Sequence, residues 1–223
     1  LFAININGYK RIIELSSKSY LENNDSSEPH CDYSELTKNN NDIAIFSGTV
    51  DGLIGKLFNQ GKYQDICEIY ADLKLNYNDR FYIEIQRHGD SNEKYFEKYN
   101  LQQSNNLDIP IIATHEVYYL EQSVYEAHDA LICIGNKTYV NEKNRKKFTN
   151  QHYLKTDNEM SKLFSDIPEA LNNNYNFPFR CSFRPVFSKP VLPNISSEKG
   201  GNADEILTNE SEKGLKNKFL NVF

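Results

Sequence analysis

The sequence predicts an α/β fold built on a parallel sheet, either open or closed into a barrel. Two observations carry this expectation. Short apolar runs at Leu1–Ile6, Ile43–Phe46, Phe81–Ile85 and Ile109–Ala113 read as strands covered on both faces. Between them lie longer stretches whose apolar residues recur every three or four positions, so strand and helix alternate along the chain.

Taken in order, Leu1 to Ile6 is a short strand. The opening Leu1-Phe2-Ala3-Ile4 lacks the basic lead-in of a signal peptide and reads as the middle of a strand, so the chain is expected to be cut from a longer one. Gly8 opens a helix with Tyr9, Ile12, Ile13, Ser16 and Tyr20 at the helical period, and residues 22 to 41 read as a polar surface loop. After the Ile43–Phe46 strand, closed by Ser47-Gly48, one helix is marked by Leu53, Ile54, Leu57 and Phe58. The next is marked by Tyr63, Ile66, Cys67, Tyr70 and Leu73. The Phe81–Ile85 strand ends in the polar tip Gln86-Arg87-His88-Gly89, and Tyr95, Phe96 and Tyr99 stripe another helix. Ile109–Ala113 ends in Thr114-His115-Glu116, after which Val124, Ala127, His128, Leu131 and Ile132 share one helical face. Two short helices follow, around Met160 to Phe164 and Pro168 to Leu171. Beyond about residue 176 the alternation fails: Pro178, Pro185, Pro190 and Pro193 interrupt an irregular run. A polar stretch from Ser196 to Asp204 then leads to an amphipathic helix with Ile206, Leu207, Leu215, Phe219 and Leu220.

Composition narrows the function classes. A chain of 223 residues suits one large domain or one domain plus a stub, and 39% hydrophobic residues suffice for a packed core, which excludes wholesale disorder. A formal charge of -6 and a pI near 5.4 repel phosphate overall, so any contact with DNA must be local or lie outside this chain. Cys31, Cys67, Cys133 and Cys181 form no CxxC; Cys67 and Cys133 read as buried thiols, and a reducing cytosol fits best. No apolar run approaches the ~18 residues needed to span a membrane. The runs Asn39-Asn40-Asn41 and Asn172-Asn173-Asn174 read as polar surface turns.

In α/β barrels chemistry sits at the C-terminal ends of the strands. Two strand ends here carry Glu84 with His88, and His115 with Glu116, residue types that bind Zn²⁺ or Mn²⁺. Glu84 could equally pair with Arg87 or Lys94. His128 reads as a hydrogen-bonded packing residue on an apolar face, and His30 and His152 as solvent-exposed loop residues. Lys143, Arg145, Lys146 and Lys147 form a basic cluster that would contact an anion or simply sit in a solvated loop. There is no GxSxG, P-loop or Rossmann glycine pattern, which argues against serine hydrolase and nucleotide-binding readings.

Several segments resemble, in order, the PHP domain of bacterial DNA polymerase III alpha subunits. They are Asn7-Gly8-Tyr9-Lys10, Ser17-Lys18-Ser19-Tyr20, Tyr82 to Gly89, Ile112 to Leu120, Glu126 to Leu131, Tyr153-Leu154-Lys155, Phe164 to Leu171 and Glu212-Lys213-Gly214-Leu215. The resemblance implies a distorted (β/α)7 barrel of PHP type, incomplete at its N-terminal side. Residues 1–195 would be the partial PHP domain, and residues 196–223 a linker and the start of a helix leading to the palm domain. Active PHP domains bind a cluster of metal ions and act as phosphoesterases or proofreading nucleases. The first ligands of the family lie upstream of Leu1. Within this chain His88 takes a ligand position, Glu116 stands where the metal-binding form has Asp, and Tyr118 stands where it has His. A phenol of pKa ~10 is a poor Zn²⁺ ligand at neutral pH. The resemblance thus implies a vestigial metal site, loss of the Zn²⁺ or Mn²⁺ cluster, and no catalytic residue in this segment. The palm carboxylates that hold Mg²⁺ for polymerisation would lie beyond Phe223. The expected role is that of a scaffold docking the proofreading exonuclease subunit and other replicase subunits, with DNA reached through the longer protein, in the cytoplasm and away from membranes. The alternatives are a free-standing PHP metal-dependent phosphoesterase, which Tyr118 argues against, and a surface-binding module unrelated to replication.

Overall fold

The computed structural model describes residues 1–22, 28–187, 189–190 and 202–222, which fall into two units, Leu1–Arg184 and Pro185–Phe223. In the first unit the order is β1 (Phe2–Ala3), α1 (Ile6–Leu21), α2 (Tyr33–Thr37), β2 (Ile43–Phe46), α3 (Leu53–Asn59), α4 (Tyr63–Tyr77), β3 (Phe81–Ile85), α5 (Glu93–Leu107), β4 (Ile111–Ala113), α6 (Tyr125–Asn136), α7 (Asp157–Leu163) and α8 (Pro168–Asn176). The second unit contains α9 (Ala203–Val222), the predicted exit helix. The polar stretch expected before it lies, from Ser196 to Gly201, outside the described residues.

The class is mixed α/β, as the alternation predicts. The sheet has the order β1-β2-β3-β4, with β2, β3 and β4 parallel. Ile45 stands opposite Phe81, Ile83 opposite Ile111 and Ile85 opposite Ala113. Because side chains alternate along a strand, both faces of an apolar run must find cover. On one face Ile43, Ile45, Phe81, Ile83, Ile85 and Ile111 pack with Ile66, Tyr70 and Tyr77 of α4, Phe96 of α5 and Ala170 of α8. On the other, Ala44, Tyr82 and Ile112 pack with Phe177, joined by Phe46 and Ile4. Each fully buried Ile or Phe contributes about 1.5–3 kcal/mol.

Several sequence expectations are corrected. The first strand is only Phe2–Ala3 and pairs antiparallel with β2. The chain leaves it at Asn5, whose side chain accepts from the N–H groups of Asn7 and Gly8, so α1 begins at Ile6 and not at Gly8. The buried face of α1 carries Gly8, Arg11 and Leu15, whereas Tyr9, Ile13 and Tyr20 are exposed. The 22–41 segment contains α2, apart from residues 23–27, which lie outside the described residues. Neither Asn run is a mere surface turn. Asn40 is buried and its amide donates to Asn76 O. Asn173 and Asn174 of α8 donate to Ile111 O and Ala113 O at 2.7 Å, so their amides satisfy carbonyls of β4 on the side away from β3. The predicted apolar face of α6 is only partly covered: Leu131 is exposed and His128 and Ile132 are half-buried, while the buried residues of the helix are Asp129 and Cys133. All four cysteines are free; Cys133 is buried, Cys67 only partly so. Among the described residues no helix is long and apolar enough to cross a membrane.

Candidate functional site

Parallel strands bring their C-terminal ends to one side of the sheet, and the two predicted site segments leave β3 and β4 there, side by side. The ladder continues past the strands through the Thr114 N–H, which donates to Ile85 O. Glu84 does not pair with Arg87 or Lys94. Its carboxylate accepts from the Thr114 hydroxyl and from Gln86 Nε2, which also donates to Thr114 at 2.9 Å. Arg87 instead reaches outward to Glu97 and Asp166 and to Leu163 O, joining α5 to the segment that connects α7 and α8.

His88 is 2% exposed and lies at the centre of the cluster. The Glu116 backbone N–H donates to its Nε2 at 3.1 Å. That bond makes Nε2 the acceptor and Nδ1 the protonated nitrogen, and Nδ1 donates to Glu93 Oε1 at 2.9 Å. The His88 and Asp90 N–H groups donate to Glu93 Oε2. Burial by itself would raise the Glu93 carboxyl, but the donors from His88 and Asp90 outweigh it and hold its pKa below the usual carboxylate value. His88 and Glu116 are thus brought together, but the contact is made by the backbone of Glu116. Its side chain is nearly half exposed.

Two more imidazoles stack on His88, His152 with ring centroids 4.0 Å apart and His115 at 4.4 Å. His115 Nε2 lies 2.9 Å from Gln151 O and 3.1 Å from Tyr153 O, so it is the protonated nitrogen and donates to both. Burial, with His88 and Lys155 nearby, pulls the His115 pKa down to about 4. His152 is lowered as well, first by burial and then by His88, and its Nδ1 donates to Glu116 O at 3.2 Å. Tyr118 lies beside this stack, its ring centroid 4.5 Å from Phe148 and 5.3 Å from both His128 and His152. Burial and the neighbouring Glu116 raise the Tyr118 phenol above its ordinary pKa, so it is protonated at neutral pH.

His152 is not the exposed loop residue that the sequence suggested: it is buried, because residues 149–154 fold back on the segment after β4. The Tyr118 N–H donates to His152 O and the Leu154 N–H to Tyr119 O, which brings the two stretches into parallel register. His128 packs against the Tyr118 and Tyr119 rings, and His30 is exposed as expected. Sequence reasoning also missed Glu93. The available signal was the Asp90–Glu93 spacing at the start of α5, where a carboxylate three residues on can reach back to free N–H groups. The basic cluster divides. Arg145 makes a two-pronged pair with buried Asp129, at 2.6 Å on each arm, and is an anchor for its loop. Lys146 lies over the Phe148 ring.

A cleft of about 590 Å³ opens over the cluster, lined by His88, Glu93, Glu116 and His152. Its rim is mixed in charge, with Lys56, Lys146 and Lys147 facing Asp51 and Asp90. For a metal ion, an imidazole must offer a lone pair and a carboxylate must point inward. At His88 both ring nitrogens are engaged by Glu93 and Glu116. Among the described residues no three His, Cys, Asp or Glu side chains are grouped to hold an ion.

Residues 1–88 match the PHP domain family. Over nearly its whole length the chain is similar to proteins named DNA polymerase III subunit alpha. It is 34% identical to the one from Caulobacter vibrioides over 97% of this chain and 19% of that protein. It is 34% identical to the one from Rickettsia prowazekii over 89% of this chain and 17% of that protein. The Borreliella burgdorferi relative is 31% identical over 100% of this chain and 20% of its own length. The chain therefore spans about a fifth of the length of these relatives. The first 88 residues thus match the PHP domain, and from end to end the chain is similar to a segment of DNA polymerase III alpha subunits.

Proposed function

We propose that this segment is a non-catalytic PHP domain that serves as a docking scaffold within a replicative DNA polymerase. The observation that carries the reading is the state of His88. In a metal centre its free nitrogen would face the ion, but here the Nδ1–H donates to Glu93 and the Nε2 lone pair accepts from the Glu116 N–H. Tyr118, in the position where a resembling metal site has His, is a protonated phenol packed between aromatic rings. These residues do not fit the Zn²⁺ or Mn²⁺ cluster that the family resemblance implies, and the histidine stack acts as packing. The sheet is part of a distorted (β/α)7 barrel. In support, three successive parallel strands have helices on one face and a smaller apolar layer on the other.

Polymerisation belongs to the longer protein, whose palm domain would hold Mg²⁺ on paired carboxylates and engage DNA. The scaffold's partners are the proofreading exonuclease subunit and other replicase subunits, in the cytoplasm, where four free thiols persist. The test is retention of the polymerase that carries this segment on its immobilised exonuclease subunit. Binding should persist in moderate salt, because apolar burial is little screened. Metal-dependent phosphoesterase turnover that disappears in His88→Ala would overturn the non-catalytic reading. Failure to bind the exonuclease at micromolar concentrations of both proteins would overturn the docking role.

A further inference from the structure

Asn100 is 1% exposed, on the face of α5 that packs toward β3. Its Oδ1 accepts from the Tyr70 hydroxyl at 2.9 Å, and its Nδ2 is buried with no hydrogen-bond partner in the protein. A buried amide donor that meets neither protein nor water is strongly unfavourable, and native folds rarely leave one. Turning the amide over would let Nδ2 donate to the Tyr70 oxygen, but it would take the Asn100 acceptor from the Tyr70 hydroxyl and leave Oδ1 buried in place of Nδ2, so one arm of the amide lacks a protein partner either way.

Asn100 also lines a small cavity between the start of α5 and the end of β3. Its volume is about 20 Å³, and Thr49, Glu84, Gln86, Glu93 and Glu97 line it as well. A single water needs roughly 10–15 Å³ of such space and two to four polar partners. With Oδ1 turned to Tyr70, Nδ2 is the arm of the amide left for the cavity. We infer that this cavity is a binding site for one structural water, which accepts from Asn100 Nδ2 and donates to the carboxylates that line it. A carboxylate offers about four acceptor positions. Arg87 contributes one N–H to each Glu97 oxygen, which leaves room for a water. A cation is the poorer occupant, since the inward-facing group of Asn100 is a donor. The site matters because Glu93 and Glu97 are the residues that hold His88 and Arg87. The water would tie both to the helix core through Asn100 and Tyr70. This inference uses no metal chemistry and stands whether or not the domain is a scaffold.

A crystal structure of this chain at a resolution that orders buried solvent tests it, together with NMR cross-relaxation between bulk water and the Asn100 side-chain NH₂. The expected result is one density peak within hydrogen-bonding distance of Nδ2 and of at least one lining carboxylate, with a long-lived water signal at that NH₂. In Asn100→Leu, which has similar volume and no donor, the peak should be lost. If this variant does not fold, the wild-type density decides. The inference is overturned if Nδ2 bonds a protein acceptor directly and the cavity closes. It is also overturned if the peak refines as a cation with short contacts to oxygen, or if the NH₂ shows no water signal.

Discussion

Replacing His88 by Leu separates the packing role from a ligand role more sharply than any other change. The substitution roughly keeps the buried volume and removes both ring nitrogens. One loss is the bond from Nδ1 to the Glu93 carboxylate, a charge-assisted bond of about 1.5–3 kcal/mol. The other is the acceptor for the Glu116 N–H, at the low end of the ~1–3 kcal/mol penalty because Glu116 lies at the mouth of the cleft. Together these predict a loss of about 3 kcal/mol. For a unit of this size that lowers Tm by about 6–12 °C. Thermal unfolding followed by circular dichroism, before and after exhaustive dialysis against EDTA, is the assay. The reasoning requires the same Tm loss in both samples and an unchanged wild-type Tm after dialysis. A wild-type protein that falls by the same amount on chelation would place a metal at His88, in place of Glu93 and Glu116.

Three further outcomes are expected. Arg145→Met should lower the urea midpoint, because it leaves the Asp129 carboxylate without its partner, and the double variant with Asp129→Leu should recover part of that loss. Acid should destabilise the fold below pH ~6.5: His115 is held neutral with a pKa of about 4, so the unfolded chain takes up the proton first, and the loss due to His115 grows until about pH 4 and is constant below it. Discounted for partial exposure, this amounts to about 1–2 kcal/mol, and His115→Gln should flatten that part of the urea-measured pH profile. Gly8→Ala should destabilise by about 1–3 kcal/mol, although alanine normally favours a helix, since its Cβ would come within 1.9 Å of Asp42 O; an unchanged Tm would show that the α1 start is not held against that carbonyl.

The fold class was legible because apolar runs and helical periods are local properties of the chain. Ile43–Phe46 and Phe81–Ile85 become strands as expected, and Tyr63–Tyr77 becomes the predicted helix, because each carries enough apolar surface to fix its own period. The position of His88 and Glu116 at neighbouring strand ends was legible for the same reason, since it follows from parallel topology. What the chain could not declare by itself was pairing across long sequence distances. The burial of His152 depends on a segment thirty-odd residues away folding back on Tyr118, and the anchoring of Arg145 depends on Asp129 facing inward. Nor could periodicity tell which positions of α6 are buried: Leu131 lies on the apolar face yet is exposed, and the buried residues are Asp129 and Cys133. The Asn run in α8 reads as a turn in sequence and becomes a cap for β4 only once the helix lies against that strand. Local sequence specifies which residues can form strand or helix; the protonation, pairing and burial of a polar side chain depend on what the rest of the chain brings within hydrogen-bond distance, and that is decided only in three dimensions.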